Sequence, residues 1–332
     1  MKSQRIAILG AGNMGTALAK VIAENGHSVK LWNYEGDVEP LEQIEKYNEN
    51  KKYLPGIILP KNILPVYDLK EALEKIDMVF FVVSSMAMEA VVKRASEYVP
   101  RGIISVDLSK GLDPKNGGLM TSSMEKILSK KKIIIASLTG PAIAHQIAEG
   151  QPTALVIATR SKVAGEKVKK VLVNKNLRVR YDADIIGAEV LQSFKNVYGM
   201  GMGMASGISL TLNAQSFLFT LAMDELSLVN KALGGKKESA YGLMGLGDFL
   251  TTAFSVEGRN RQFGECLGRG MSVTEAKDEV KQTVEGIPAL EALKKIAKKK
   301  KLKLPFALGI ADVISGKKTP AQMIESLFAS IK

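Results

Sequence analysis

The stretch RIAILGAGNMGTALAKVIAENG, residues 5–26, decides the fold. A β-rich apolar run leads into a segment of helical periodicity through three glycines spaced G-x-G-x-x-G, at Gly10, Gly12 and Gly15. The first glycine permits a tight turn, the second lets the backbone approach a pyrophosphate, and the third lets the helix pack closely on the strand, while the helix N-terminus attracts the anion. An ordinary glycine turn is the alternative, but the position at a first strand-to-helix turn favours a dinucleotide site.

Further apolar runs follow, with helical segments between them. They are β-rich and mostly continuous rather than alternating, which is typical of strands buried on both faces of a parallel sheet. Repeated strand and helix units predict an α/β fold with a Rossmann-like, doubly wound sheet. The runs are residues 28–33, 77–84, 102–109 and 132–140, and two more at 152–160 and 177–182 extend the sheet.

The pattern changes near residue 187, where long helical stretches with glycine-rich joints replace the strand-like runs. Since 332 residues exceed one ordinary core, we predict two domains. The first is a dinucleotide-binding Rossmann domain, residues 1–186, and the second an all-α substrate and catalytic domain, residues 187–332. Its predicted helices are 188–207, 213–233, 239–256, 258–269, 272–283 and a segment from 286 onward with a break near Pro305.

The charge balance is basic, with 46 Lys and Arg against 34 Asp and Glu, a net charge of +12. Such a balance suits nucleic acid, a membrane surface or an anionic small molecule. Much of the excess lies in two lysine runs, at residues 294–305 and 128–135, which we interpret as solvated faces. No aromatic residue is interleaved with those lysines, so we predict no nucleic-acid partner.

Cysteine usage and the N-terminus indicate a cytoplasmic protein. The single cysteine, Cys266, excludes an internal disulfide and is typical of a reducing compartment. The first ten residues run straight into a strand-like segment without the apolar stretch of a signal peptide.

The segment from Val197 to Met223 carries no charge and is long enough to span a bilayer. Its glycines at 199, 203 and 207 are four apart, a spacing that also serves helix pairs in membranes. Polar residues dilute its hydropathy, so we predict a buried helix pair and no membrane span. A homodimer interface is an equally suitable use of the segment.

Lys195 stands directly before this uncharged segment, in LQSFKNVYG. On a helix its neighbours would be Leu191, Gln192, Tyr198 and Gly199, a largely apolar face. A lysine there is either a desolvated catalytic group or a surface residue whose stem lies along apolar residues while its head reaches water. The pattern alone leaves both interpretations open.

The adenosine ribose should be read after the second strand, in LWNYEGD. An acid there accepts a hydrogen bond from a ribose 2′-OH, whereas an Arg would pair with a 2′-phosphate. Glu35 and Asp37 are the available acids, and no cation lies between Lys30 and Lys46. The segment therefore favours NADH over NADPH.

Two further blocks narrow the choice of family. The first block is YGLMGLGDFLTTAFSVEGRNRQFGE (241–265), and the second is the series VSSM, DLSKGL and LTGPAIAHQ. Together with NKKYLPGIILP, FKNVYG and VEGIPAL, they resemble bacterial NAD(P)-dependent sn-glycerol-3-phosphate dehydrogenase. The resemblance covers nearly the whole chain. The resemblance implies reversible reduction of dihydroxyacetone phosphate to sn-glycerol 3-phosphate, which feeds glycerophospholipid synthesis. The implied cofactor is NADH or NADPH.

The resemblance also implies residue roles. Lys195 would be the catalytic acid/base, because an alkoxide forming from a ketone needs a proton and a nearby positive charge, and a buried ammonium supplies both. The implied substrate-binding residues are Lys110, Gly140, Ala142, Asn196, Asp248, Thr252, Gly258, Arg259 and Asn260. The implied cofactor-binding residues are Gly10, Gly12, Asn13, Met14, Gly15, Tyr34, Glu35, Tyr53, Ser84, Lys110, Ala144, Arg259 and Glu285.

This chain departs from the family pattern at several positions. An aromatic residue is usual at Met14, and hydroxyl residues are usual at Ala142 and Gly258, so the latter two would contribute backbone only. A basic or imidazole pair is common where Tyr34 and Glu35 stand, which weakens the case for NADPH.

Two alternatives remain open at this stage. One is another Rossmann dehydrogenase with a lysine catalyst, acting on a small hydroxy or keto acid, since Arg259 suits a carboxylate as well as a phosphate. The other is a non-catalytic NAD-binding sensor whose basic surface docks nucleic acid or anionic lipid. No cluster of Cys, His or carboxylates has metal-ligand spacing, so we predict no metal.

Overall fold

A sheet of eight strands occupies the first part of the chain in the computed structural model, which describes residues 3–113, 117–281 and 283–330. The strand order is β3-β2-β1-β4-β5-β6-β7-β8, with β7 antiparallel to β6 and the other pairs parallel. The predicted α/β class is confirmed. The strands are β1 (Arg5–Leu9), β2 (Ser28–Trp32), β3 (Ile63–Val66), β4 (Met78–Phe81), β5 (Ile104–Asp107), β6 (Ile134–Thr139), β7 (Thr153–Ala158) and β8 (Leu177–Asp182).

Strand β3 and the direction of β7 are not predicted by the sequence patterns. β3 is four residues long and contains Pro65, which lacks the N–H that a central strand needs. It pairs only with β2, at the edge of the sheet, where a proline is tolerated. The antiparallel direction of β7 leaves no mark in the apolar pattern of either strand.

Helices cover the sheet and bury one apolar face each. Helix α1 presents Ala17, Leu18 and Ile22, which are fully buried with Ile6 and Ile8 of β1. Burial of such side chains is worth about 1.5–3 kcal/mol each for the larger ones. The helices of this part are α1 (Asn13–Glu24), α2 (Glu39–Tyr47), α3 (Leu69–Leu73), α4 (Ser85–Ala95), α5 (Met120–Ile127), α6 (Ala144–Ala148) and α7 (Lys162–Leu172).

The chain divides into two compact units between Ile185 and Ile186, here called unit 1 and unit 2. In unit 2 the described residues form helices and turns without a named strand. A 3₁₀ turn, Lys237–Tyr241, and a π-helical turn, Leu243–Gly247, precede α10. The helices are α8 (Ile185–Gly207), which begins at the boundary, α9 (Leu212–Ala232), α10 (Asp248–Phe254), α11 (Arg259–Gly268), α12 (Val273–Val280), α13 (Gly286–Lys300), α14 (Pro305–Ile314) and α15 (Pro320–Ala329).

The glycine-spaced segment of α8 packs against α11. A Cβ at Gly203 would lie 2.0 Å from the Arg261 carbonyl oxygen, and one at Gly264 would lie 1.9 Å from that of Met200. The two backbones therefore approach more closely than any other residue type would allow. None of the helices among the described residues combines the length and the apolar character needed to cross a bilayer.

Candidate active site

The three glycines of the loop between β1 and α1 differ in their surroundings. Gly10 has φ +120°, and a Cβ there would lie 2.2 Å from the Val82 carbonyl oxygen. A Cβ at Gly15 would lie 1.9 Å from the carbonyl oxygen of Gly10. Gly12 differs, because nothing lies within 4 Å of its ideal Cβ position. Gly10 and Gly15 thus serve the turn and the packing, whereas a Cβ at Gly12 would fill open space at the helix N-terminus, where a pyrophosphate fits.

Two buried asparagines hold this loop, and the sequence patterns do not single out either of them. The Asn50 amide donates to the Ala11 carbonyl oxygen and to Thr16 Oγ1, both at 2.8 Å. The Asn33 side-chain oxygen accepts from the Ala11 N–H at 3.3 Å, and its amide donates to the Asp37 carbonyl oxygen at 2.7 Å. Asn33 directly follows β2, which is the signal that could have identified it.

Asp37, one of the two acids expected to read a ribose, is occupied by partners in unit 1. Its carboxylate accepts from Lys52 Nζ at 2.8 Å, from Tyr53 Oη at 2.8 Å and from the Asn33 amide at 3.0 Å. Burial alone would raise the pKa of Asp37, but the hydrogen bonds from Lys52 and Tyr53 outweigh it and hold the pKa below its usual value. Tyr53, which the resemblance assigns to the cofactor, therefore contacts Asp37.

Glu35 is the second acid, and its partner comes from a distant part of the sequence. Arg94 Nη1 donates to Glu35 Oε2 at 3.1 Å, and Nη2 donates to Oε1, so the guanidinium grips the carboxylate with both arms. That hydrogen bonding lowers the pKa of Glu35. The fold brings Arg94 and Lys52 to the same strand end, so cations lie beside both acids although none stands between Lys30 and Lys46 in the sequence. Tyr34 lies beside Glu35 with an exposed ring.

The strand ends of β4 and β5 bring Ser84 and the loop of Lys110 together. Ser84 is the N-cap residue of α4, and the next residue, Ser85, contacts Gly111, where a Cβ would lie 2.5 Å from Ser85 Oγ. Lys110 is half-buried in this loop.

Asp107, the last residue of β5, is hydrogen-bonded to the start of the same loop. The sequence patterns assign it no role. Its Oδ1 accepts from the Ser109 N–H at 2.8 Å, and it is fully buried. Burial raises the pKa of Asp107 to about 6.

At the end of β6, Gly140 has φ +126°, a backbone conformation that favours glycine. Ala142 and Ala144 follow it and pack on the hydrophobic core of unit 1, as does Met14 at the start of α1. Asn13 Oδ1 accepts from the Met14 N–H at 2.9 Å. These side chains therefore shape the surface near the glycine loop through packing.

In unit 2, Lys195 is buried and paired. Its Nζ forms an ion pair with Asp248 Oδ1, and the exposed fractions of the two side chains are 4% and 7%. The alternative in which the lysine head reaches bulk water is therefore wrong. The carboxylate compensates the buried ammonium and holds it in one position.

Asp248 and Thr252 lie on one face of α10. The Thr252 hydroxyl donates to the Asp248 carbonyl oxygen at 2.9 Å. Asp248 is the first residue of α10 and follows the N-cap Gly247, so its carboxylate serves Lys195 rather than the helix end. The π-helical turn that precedes Asp248 packs closely on the 3₁₀ turn, since a Cβ at Gly245 would lie 2.1 Å from the Ala240 carbonyl oxygen.

Asn260 of α11 is hydrogen-bonded to the start of α13, which packs closely on α8. Its Oδ1 accepts from the Gly286 N–H at 2.8 Å, beside Glu285, the N-cap residue of α13. A Cβ at Gly286 would lie 2.7 Å from the Asn196 carbonyl oxygen of α8. Part of the role of Asn260 is therefore structural.

Arg259 is the first residue of α11, after the N-cap Gly258, whose lack of a side chain leaves the helix end to its backbone N–H groups. Arg261, two residues further along α11, is largely buried. Its guanidinium donates to Ser206 Oγ at 2.9 Å and to Glu265 at 3.1 Å, and only 15% of its side chain is exposed.

The remaining candidates for reactive groups are His145 and clusters of metal-binding side chains. His145 lies exposed on α6 with Nδ1 3.2 Å from a Glu149 oxygen. Within the described residues no group of three His, Cys, Asp or Glu side chains has the geometry of a metal site.

Comparison with known proteins places these residues in a family context. The family model described as the N-terminus of NAD-dependent glycerol-3-phosphate dehydrogenase matches residues 5–164, and the model for its C-terminus matches residues 184–325.

Individual relatives agree with the family models. The glycerol-3-phosphate dehydrogenase [NAD(P)+] of Bacillus velezensis is 32% identical over 99% of this chain and 95% of its own length. That of Fusobacterium nucleatum is 32% identical over 97% of this chain and 96% of its own. The crystal structure of glycerol-3-phosphate dehydrogenase from Coxiella burnetii superimposes with a TM-score of 0.91 at 30% identity and covers 98% of this chain and 99% of its own.

Proposed function

The chain belongs to the NAD-dependent glycerol-3-phosphate dehydrogenase family and is an NAD(P)-dependent oxidoreductase, and we propose that it reduces dihydroxyacetone phosphate to sn-glycerol 3-phosphate with Lys195 as the proton donor. The observation that carries the assignment of residues is the buried ion pair between Lys195 and Asp248. The reaction is reversible, so the same lysine accepts the proton when the alcohol is oxidised.

Unit 1 supplies the residues that would hold the dinucleotide. The backbone at Gly12 and the N-terminus of α1 suit the pyrophosphate, Glu35 suits the ribose, and Ser84 and Lys110 lie together at the neighbouring strand ends. When bound, the reduced nicotinamide supplies the hydride.

Lys195 supplies what the ketone oxygen lacks as it becomes an alkoxide. The ammonium stabilises the developing negative charge and then donates a proton from Nζ to that oxygen. Before the proton is transferred, Asp248 fixes the position of Nζ and compensates the positive charge of the buried ammonium. Thr252, one turn along α10, extends the polar face of that helix.

The N-terminus of α11 is the proposed phosphate site. The backbone N–H groups of its first turn and the planar fork of Arg259 both suit a phosphate dianion. Asn260 holds this helix end to α13 through Gly286 and so keeps the N–H groups in place.

We further propose a cytoplasmic homodimer whose product enters glycerophospholipid synthesis. Support for the compartment comes from Cys266, a free cysteine. Support for an interface comes from exposed apolar side chains on α10 and just beyond it, Leu250, Phe254 and Val256. Light scattering on the purified protein distinguishes a dimer of about twice 35.9 kDa from a monomer.

A substrate panel tests the reaction. Oxidation of NADH should be fast with dihydroxyacetone phosphate and at least about tenfold slower with dihydroxyacetone, because a charged hydrogen bond to phosphate is worth roughly 1.5–3 kcal/mol. The panel includes small keto acids, which Arg259 would also suit. Faster turnover of a keto acid than of dihydroxyacetone phosphate would replace the proposed substrate by that class, and cofactor binding without turnover of any substrate would favour a sensor.

A further inference from the structure

Arg94 occupies the strand end where a dinucleotide presents its adenosine ribose. Its guanidinium grips Glu35 through two hydrogen bonds and lies 5.7 Å from the ring centroid of Trp32. Trp32 is the last residue of β2 and is fully buried, with Nε1 donating to the Tyr67 carbonyl oxygen at 3.2 Å. A rigid ring therefore holds the guanidinium beside Glu35 through a cation–π contact.

The neighbouring charges are less free to respond to a ligand. Lys52 lies between two carboxylates, 2.8 Å from Asp37 and 2.9 Å from Glu39. Asp37 in turn accepts hydrogen bonds from Asn33 and Tyr53. By contrast, the side chains of Arg94 and Glu35 are 47% and 65% exposed. An exposed pair of this kind separates at little cost, so either member can turn to a ligand.

We propose that Arg94 recognises the 2′-phosphate of NADPH by leaving Glu35, so that this one ion pair sets the balance between the two cofactors. With NADH, Glu35 accepts from the ribose 2′-OH and Arg94 holds the carboxylate in place. With NADPH, the planar fork of Arg94 binds the phosphate, and Glu35 turns into solvent. The inference rests on the proposed function for its choice of ligand, since it assumes that the glycine loop binds NAD(H) or NADP(H).

The two residues should have opposite effects. Glu35→Gln removes the carboxylate that repels a phosphate and releases Arg94, so affinity for the 2′-phosphorylated ligand should rise about tenfold. Arg94→Gln removes the phosphate partner, so affinity for that ligand should fall about tenfold. Affinity for the unphosphorylated ligand should fall by a smaller factor, because Glu35 remains to accept from the ribose and loses only the residue that holds it in place.

Calorimetric titration of the full chain with ADP-ribose and with 2′-phospho-ADP-ribose tests this without turnover. Lys93→Gln is the matched control, because Lys93 is the neighbouring cation on α4 and pairs with Glu89 in its own helix. It makes the same change in net charge and should leave the ratio of the two affinities unchanged. Circular dichroism and thermal unfolding confirm that each variant is folded.

The outcomes separate the inference from the proposed function. The role of Arg94 would be overturned if Arg94→Gln left the ratio of the two ligand affinities unchanged. It would also be overturned if Lys93→Gln shifted that ratio equally. Failure of the wild-type chain to bind either ligand would overturn the site as well. If the ratios shift as expected but dihydroxyacetone phosphate is not reduced, the inference holds and the substrate assignment fails.

Discussion

Single glycines in the nucleotide loop have different functions that the spacing alone does not separate. Gly10 and Gly15 face other backbone atoms of unit 1, whereas Gly12 faces open space. The motif assigns a separate role to each of the three glycines, because the chemistry of a pyrophosphate on a helix end differs at each position. The close contacts at Gly10 and Gly15 agree with the turn and packing roles, and the pyrophosphate role of Gly12 stays a prediction. Asn50 and Arg94 were not predicted, because each acts on this region from a distant part of the sequence.

Gly12→Ala and Gly15→Ala should therefore fail in different ways. The methyl group of Gly12→Ala meets no protein atom within 4 Å, so the free energy of unfolding should change by less than about 1 kcal/mol, while dinucleotide affinity falls at least about tenfold. Gly15→Ala would press on the Gly10 carbonyl and should cost about 1–3 kcal/mol. Denaturant unfolding and NADH fluorescence titration measure the two effects. A destabilised Gly12→Ala protein with normal affinity would contradict the division of roles.

Among the elements, helix α8 contains both Lys195, the proposed proton donor, and the glycines that pack against α11. Lys195 lies two turns before Gly203, whose backbone approaches that of α11. The spacing of the α8 glycines predicted close helix packing, but it could not identify the partner, because Gly264 lies more than fifty residues away.

Gly203→Ala should destabilise the chain by about 1–3 kcal/mol, because its methyl group would overlap the Arg261 carbonyl at 2.0 Å and force the helices apart. Gly309→Ala on α14 is the comparison, since its methyl group would meet Met323 Cγ at 2.7 Å, and a methionine side chain adjusts at a lower cost than a helix backbone. Urea unfolding of the two variants gives the comparison. Equal stability of both variants would show that the α8 contact is not tightly packed.

A buried carboxylate joins α9 to α14. Glu225 accepts from the backbone N–H groups of Phe306 at 2.6 Å and Ala307 at 3.0 Å, and from Tyr198 Oη at 3.0 Å. Burial raises the pKa of Glu225 from 4.5 to about 7, even though these hydrogen bonds oppose the rise. Nothing in the amphipathic pattern of α9 distinguishes this residue from the exposed Asp224 beside it.

The raised pKa of Glu225 predicts a pH dependence of stability. Between pH 4.5 and about 7 the folded chain holds a proton on Glu225 that the unfolded chain releases, so the free energy of unfolding should fall as the pH rises through that window. The expected loss is of the order of 3 kcal/mol. Glu225→Gln should flatten this slope, and Asp224→Asn should leave it intact. Urea unfolding at pH 5 and pH 8 measures the slope, and an unchanged slope in Glu225→Gln would contradict the role of burial.

For the molecule as a whole, the sequence patterns predict the secondary-structure class of each half, but not the full order and directions in which the strands pair. Continuous apolar runs identified strands buried on both faces, and helical periodicity with glycine-rich joints identified unit 2. The edge strand β3 was missed because Pro65 interrupts it, and the ion pairs at the end of β2 were missed because they depend on tertiary contacts. Local patterns encode the burial of each element, whereas such contacts depend on the whole fold.

The net charge of +12 is distributed as the lysine runs suggested. Lys298, Lys299 and Lys300 are exposed in the last turn of α13, where cations are favoured by the helix dipole. Their placement gives them a local role on a solvated helix surface.

The most direct test of the account is the turnover of a Lys195→Met protein, with bound NADH measured by fluorescence in the same samples. Lys231→Met, an exposed lysine on α9, is the control, and Lys195→Met combined with Asp248→Asn removes the buried unpaired charge if the single variant is unstable. The account predicts that both Lys195 variants bind NADH normally and reduce dihydroxyacetone phosphate at least about 100-fold more slowly than the wild type. Near-wild-type turnover in a folded Lys195→Met protein would contradict it.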